Sequence, residues 1–175
     1  MRRETRRLVL VALDVDEWEV VSDGGRRRSG RAWAEDYPTE GDVVIAGLTV
    51  AGMASPPTDA APWGPFQVRE RESGRAIGGA GFKGPPDQDG CVEIGYGLAP
   101  SAQGRGYARE AVRDLCDLAV ARGARAVTAE TDAGNTASER VLAACGFAVT
   151  EYDDAMTRWR WEPNDRGVGQ PPRVT

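Results

Sequence analysis

From Cys91 to Thr131 the chain reads strand, glycine loop, helix, strand, and that order leaves few ways to fold. Cys91 to Leu98 and Ala126 to Thr131 are short apolar runs suited to buried strands. Between them, Ala111, Val112, Leu115, Leu118 and Ala119 recur at spacings of three and four residues. Arg109, Glu110, Arg113, Asp114 and Asp117 fall largely opposite, so Tyr107 to Arg122 is predicted to be an amphipathic helix with one face on a sheet. Gly123 stops it. Two strands joined through such a helix form a right-handed crossover unit, and the chain is read as mixed α/β (α+β).

The loop entering the helix is Gln103-Gly104-Arg105-Gly106-Tyr107-Ala108. Two glycines one residue apart allow a tight turn and bring backbone N–H groups close to a ligand. The unpaired amides and positive dipole end of the helix point into the same volume, which suits phosphate or pyrophosphate, with Arg105 and Arg109 at the rim. Two common phosphate loops are excluded. A dinucleotide fingerprint counted from Gly104 needs glycine where Arg109 stands. The nucleotide-hydrolase loop needs Gly-Lys-Ser or Gly-Lys-Thr, and the only lysine is Lys83. The chain has no histidine, which removes Ser-His-Asp and Cys-His nucleophile pairs and most catalytic metal sites. Acid and base chemistry then falls to carboxylates, tyrosine, serine, water or backbone.

The remaining elements follow from local pattern. Leu8 to Ala12 predicts a first strand within Thr5 to Ala12, and Asp14 caps a helix through Trp18 and Val21. Gly41 to Met53 has the length for a second helix, and Glu35, Asp36 and Glu40 before it are read as a solvated loop or as an attraction for an amine. Ser55 to Pro65 is a proline-rich connection. Phe66 to Glu70 and Ala76 to Phe82 form a hairpin around Ser73-Gly74. Thr136 to Ala144 is a short helix ended by Gly146, and Phe147 to Thr150 with Met156 to Trp161 forms a last hairpin.

At 175 residues the chain is read as one domain over 1–162, with a Pro-, Gly- and charge-rich tail over 163–175. The Arg26-Arg27-Arg28 cluster is read as a solvated turn. A net charge of -5 argues against a nucleic-acid or anionic-membrane partner and permits an amine substrate. With no membrane-length apolar stretch and no secretory leader, a cytoplasmic location is the default. Cys91, Cys116 and Cys145 lack metal-ligand spacing and are read as buried reduced thiols, and no metal is expected. Edge strands with Trp159 and Trp161 leave a homodimer open beside a simple core role.

Gln103-x-x-Gly106-x-Ala108 resembles the pyrophosphate loop of the GNAT superfamily of acyl-coenzyme A dependent N-acetyltransferases. The similarity extends from about Ile77 to Phe147, through Cys91 to Pro100 before the loop and Ala129 to Ser138 with Gly146-Phe147 after it. It looks most like the ribosomal-protein alanine N-acetyltransferase branch. The resemblance implies a single-domain GNAT fold with flanking helices and a mixed central sheet splayed between its fourth and fifth strands. It implies acetyl-CoA as cosubstrate, with Gln103 to Ala108 on the diphosphate, Tyr96, Gly97 and Leu98 along the pantetheine arm, and the Leu98 amide near the thioester oxygen. It also puts Asn135 against the cofactor amides and Ser138 near sulfur, while both can equally cap a helix.

Glu93 shares a strand face with Gly95 and Gly97, and a carboxylate in a partly dry cleft is suited to accept the ammonium proton. An ordinary paired glutamate fits the sequence equally well. The acid tyrosine that many family members carry four residues before Gly-Phe is Leu142 here, which moves that role to Ser138, to water or to no group. The expected activity is direct acetyl transfer to a primary amine, either a protein N-terminus or a small molecule, in a ternary complex. The alternative is a non-catalytic acyl-CoA-binding or partner-binding module.

Overall fold

A computed structural model describes residues 1–25 and 32–163. The arginine cluster at Arg26 to Arg28 and the tail beyond Pro163 lie outside the described residues.

Eight strands form one sheet in the order β1-β2-β3-β4-β5-β6-β8-β7. They are β1 (Arg2–Glu4), β2 (Leu8–Val11), β3 (Pro65–Glu70), β4 (Ala76–Phe82), β5 (Cys91–Leu98), β6 (Ala126–Asp132), β7 (Ala148–Tyr152) and β8 (Met156–Trp161). The helices are α1 (Val15–Ser22), α2 (Glu40–Val50), α3 (Tyr107–Ala121) and α4 (Thr136–Cys145). Every neighbouring pair is antiparallel except β5 and β6, the pair joined through α3. The strand at Arg2–Glu4 was not expected, which makes the fourth and fifth strands of the sequence reading β5 and β6. The last hairpin begins at Ala148, one residue later than expected, and Tyr152 ends β7.

α3 turns its apolar stripe inward, burying Ala111, Val112, Leu115, Cys116, Leu118 and Ala119. Each fully buried leucine there stabilises the fold by roughly 2 kcal/mol relative to exposure. α1 starts at a capping box in which the Asp14 side chain accepts from Glu17 N at 2.8 Å. α2 starts at a second one, built from Thr39 and Asp42. Of the cysteines only Cys116 is buried. Cys91 and Cys145 are half-buried, which corrects the expectation of three core thiols, and all three are free.

The parallel ladder is short. It pairs Cys91 with Ala126, Val92 with Val127, Glu93 with Thr128 and Ile94 with Ala129, and stops there. β5 continues to Leu98 on β4 alone, while Glu130 to Asp132 continue on β8. The two strands therefore part beyond Ile94 and Ala129.

Candidate active site

Where β5 and β6 part there is a cleft of about 290 Å³ lined by Lys83, Ile94, Gly95, Tyr96, Glu130, Thr131, Asp132, Asn135, Ser138 and Met156. Its walls come from β5, β6 and the start of α4. Ala99 N–H donates to Ile77 O on the β4 side at 2.8 Å. By the alternation of an antiparallel strand, the Tyr96 and Leu98 amides turn the other way, toward the gap.

At the mouth of the gap the loop takes the shape its glycines allow. Gly104 has φ 72° and Gly106 φ 76°, left-handed values that side chains disfavour. Gly106 is the N-cap of α3 and supplies no side-chain cap. Among the described residues, the amides of Gly106, Tyr107, Ala108 and Arg109 find no acceptor. The helix start is thus a cluster of open donors at a positive dipole end, which fits a diphosphate. Gln103 Nε2 donates to Leu98 O at 3.0 Å and ties the loop to the end of β5.

The loop is braced from behind. Tyr107 hydroxyl donates to Glu70 at 2.6 Å, a bond that raises the pKa of the phenol and lowers that of the carboxyl. Arg105 reaches the same carboxylate at 3.4 Å, while Arg109 is exposed. Arg7 donates to the carbonyls of Arg105 and Gly106 at 2.8 and 3.3 Å, pairs with Glu110 at 2.7 Å and stacks over the Tyr107 ring. Sequence reasoning missed Arg7, because nothing local connects it to a loop nearly a hundred residues away. Asp36 receives the Ser101 amide and hydroxyl at 2.7 and 2.6 Å, so this acidic residue anchors the turn before the loop.

Tyr96 crosses to α4, where its hydroxyl donates to Ser138 O at 3.1 Å; burial pushes its pKa up to about 12. Asn135 caps α4, its Oδ1 accepting from Ser138 N at 3.1 Å, and it lines the cleft as well. The capping reading of that residue is the one the hydrogen bond bears out. Leu142 is fully buried.

Glu93 lies on the opposite face from Tyr96. It lines an adjoining cleft of about 460 Å³ with Lys83, Asp87, Asp89, Cys91, Thr128 and Arg160. Its carboxylate is paired with the Lys83 ammonium, which also stands 3.8 Å from Glu130. Lys83 thus lines both clefts. Sequence reasoning used Lys83 only to exclude a phosphate loop; being the sole lysine was the signal available. The structure brings Gly95, Tyr96, Asn135 and Ser138 to one cleft and Glu93 to the neighbouring cleft, and it ties the loop through Gln103 to the end of β5.

No group of three or more His, Cys, Asp and Glu side chains is arranged to hold a metal among the described residues, and no helix there is long and apolar enough to cross a membrane.

Comparison with known proteins gives a consistent result. The acetyltransferase (GNAT) domain profile matches residues 7–148. The chain is 30% identical over 93 residues to the uncharacterized N-acetyltransferase YjdG of Bacillus subtilis, covering 53% of this chain and 55% of that protein. The chain thus spans about half the length of the curated relatives it matches. A ribosomal-protein-S5-alanine acetyltransferase from Vibrio fischeri superposes with TM-score 0.62 at 18% identity, over 94% of this chain and 98% of that one. The ribosomal L7/L12 alpha-N-protein acetyltransferase RimL, solved in complex with coenzyme A, superposes with TM-score 0.61 at 17% identity, over 90% and 95%. These two likenesses speak for the fold.

Proposed function

The chain belongs to the GNAT acetyltransferase family, and from that premise we propose that it transfers acetyl from acetyl-CoA directly to a primary amine. The observation that carries this reading is the parting of β5 from β6 beyond Ile94, with open helix-start amides at its mouth. Bound there, acetyl-CoA supplies a thioester activated toward attack by nitrogen.

The protein's own groups divide the remaining work. The amides of Gly106, Tyr107 and Ala108 hold the diphosphate, with Gln103, Gly104 and Arg105 shaping the loop around it. Tyr96 and Leu98 present backbone groups to the pantetheine arm as an added strand would, and Gly97 between them keeps the strand free of a side chain there. The Leu98 amide, turned into the gap, donates to the thioester oxygen as negative charge grows there. Asn135 fixes the start of α4 and meets the cofactor amides, and the Ser138 hydroxyl faces the sulfur. Glu93 accepts the proton of the incoming ammonium, directly or through water, once the amine displaces Lys83.

With Leu142 sealed in the core, Ser138 or water protonates the leaving sulfur. Thiols are acidic enough for water to serve. Of the described residues that line the two clefts, neither Cys91 nor Ser138 has a carboxylate hydrogen-bonded to its thiol or hydroxyl, so a ternary complex is preferred. The acceptor class proposed is a primary amine, from a protein N-terminus or a small molecule.

The test is a melt with and without acetyl-CoA, followed by thiol release across a panel of amines. Ligand at about a hundredfold its Kd adds roughly 2.7 kcal/mol and raises the melting temperature by several degrees. A folded protein whose melt is unmoved by millimolar acetyl-CoA defeats the proposal. Protection without turnover on any amine favours a binding module instead.

A further inference from the structure

Of the 22 basic residues in this chain one is a lysine, and it stands at the candidate active site. Lys83 directly follows β4, and its N–H donates to Glu93 O at 2.9 Å, extending the β4–β5 ladder by one pair. Lys83 and Glu93 are therefore opposite each other on one face, which brings their charged ends together. The ammonium also approaches Glu130 on β6, so it bridges the two strands close to where they part. It forms part of the lining of both the cleft at Gly95, Tyr96 and Ser138 and the adjoining cleft at Glu93 and Arg160.

A half-exposed ion pair of this kind adds little to stability, about 0 to 1 kcal/mol, and an arginine would make it equally well. What arginine does not offer is an amine that can be acylated. Lys83 is the same chemical species as the acceptor assigned above, a primary ammonium held against the carboxylate assigned to deprotonate it.

We propose that Lys83 occupies the acceptor-amine position and is itself Nε-acetylated in cis when acetyl-CoA is bound and no other amine is present. The inference rests on the acetyltransferase reading. The Lys83 Nζ–C bond forms as the thioester C–S bond breaks. The leaving sulfur takes one proton and Glu93 passes another to solvent, so an ammonium and a thioester become an amide, a thiol and a proton. Acetylation removes the cation shared by Glu93 and Glu130 and leaves both carboxylates facing the clefts. An external amine competes with Lys83 for the same place and suppresses the modification.

A single lysine makes the experiment clean. The full chain carrying ε-13C lysine gives one lysine resonance, which shifts on addition of coenzyme A if Nζ stands at the cofactor cleft. Incubation with acetyl-CoA then adds one acetyl group, mapped to Lys83 by peptide mass spectrometry and separated there from the N-terminal amine. Its rate saturates with acetyl-CoA, is independent of protein concentration, and exceeds that of the urea-unfolded chain by at least about tenfold. Lys83→Arg shows no acetyl group at that position.

Coenzyme A that fails to bind overturns the acetyltransferase reading itself. Binding with the lysine resonance unmoved, or with Lys83 still unmodified, overturns only the present inference. A rate that rises linearly with acetyl-CoA and matches the unfolded chain also overturns it, by identifying simple chemical acylation.

Discussion

Two pairs of glycines face each other across β4 and β5, Gly79 opposite Gly97 and Gly81 opposite Gly95, yet the two strands hold them for different reasons. A Cβ on Gly79 would stand 2.6 Å from Asp42 Oδ1, and one on Gly81 would stand 2.4 Å from Gly64 O. Backbone packing requires Gly81, and the buried Asp42 carboxylate would have to move to admit a side chain at Gly79. A Cβ on Gly95 or Gly97 would meet nothing within 4 Å. Packing therefore gives no reason for the β5 pair, although glycine inside a strand weakens it. The difference separates a covered half of this face from a half kept bare beside the gap.

The largest effect that sharpens this contrast lies at the carboxylate two residues before Gly95. If the bare half is the reaction site, Glu93→Gln lowers kcat/KM in a thiol-release assay about 10²- to 10⁴-fold while the melting temperature stays near wild type. Unchanged turnover would return Glu93 to an ordinary ion pair.

Next come the covered glycines. Gly81→Ala forces a methyl into the Gly64–Pro65 backbone and is expected to cost about 1 to 3 kcal/mol, or several degrees in a thermal melt. Gly95→Ala is expected to melt within about 0.5 kcal/mol of wild type. Equal losses at the two positions would erase the distinction.

Gly106→Val puts a β-branched residue at φ 76° and is expected to weaken acetyl-CoA binding about tenfold in calorimetry, through roughly 1 to 2 kcal/mol of backbone strain.

The smallest effect concerns the group that covers Gly79. Burial raises the Asp42 carboxyl pKa, while Thr39 N and Oγ1 donate to its Oδ2 at 2.9 and 2.7 Å. The folded state thus holds this proton more tightly than the unfolded chain. Its contribution is complete below the unfolded pKa and is lost as pH rises through the folded one. Asp42→Asn should therefore gain on wild type in paired melts as pH rises from about 4, the ordinary carboxyl pKa. A difference independent of pH would contradict the assignment.

What the sequence disclosed was local. Glycines at alternate places and a 3.6-residue apolar period suffice to announce the loop and α3, since both depend on neighbours within a few residues. The splay of β5 from β6 came through the family resemblance, and the ladder's end at Ile94 and Ala129 bears it out. The strand at Arg2–Glu4 stayed hidden because three polar residues carry no usable alternation. The sequence reading began this helix at Gly41 without using Thr39 and Asp42, the pair that caps it, and the approach of Asp42 to Gly79 needs the packed helix. The pairing of Lys83 with Glu93 depends on the register of β4 against β5, and the bracing of the loop by Arg7 on the sheet as a whole. Both are tertiary facts. Ser138 and Asn135 were singled out through the resemblance, and both line the cleft with Tyr96.

Amide hydrogen exchange with and without coenzyme A tests the assignment of the gap most directly. Slowed exchange at Tyr96 and Leu98 on β5, and at Gly106 to Arg109 at the start of α3, is the expected result. Unchanged exchange at both places, in a folded protein under saturating coenzyme A, would mean that the acyl carrier does not lie between the parted strands.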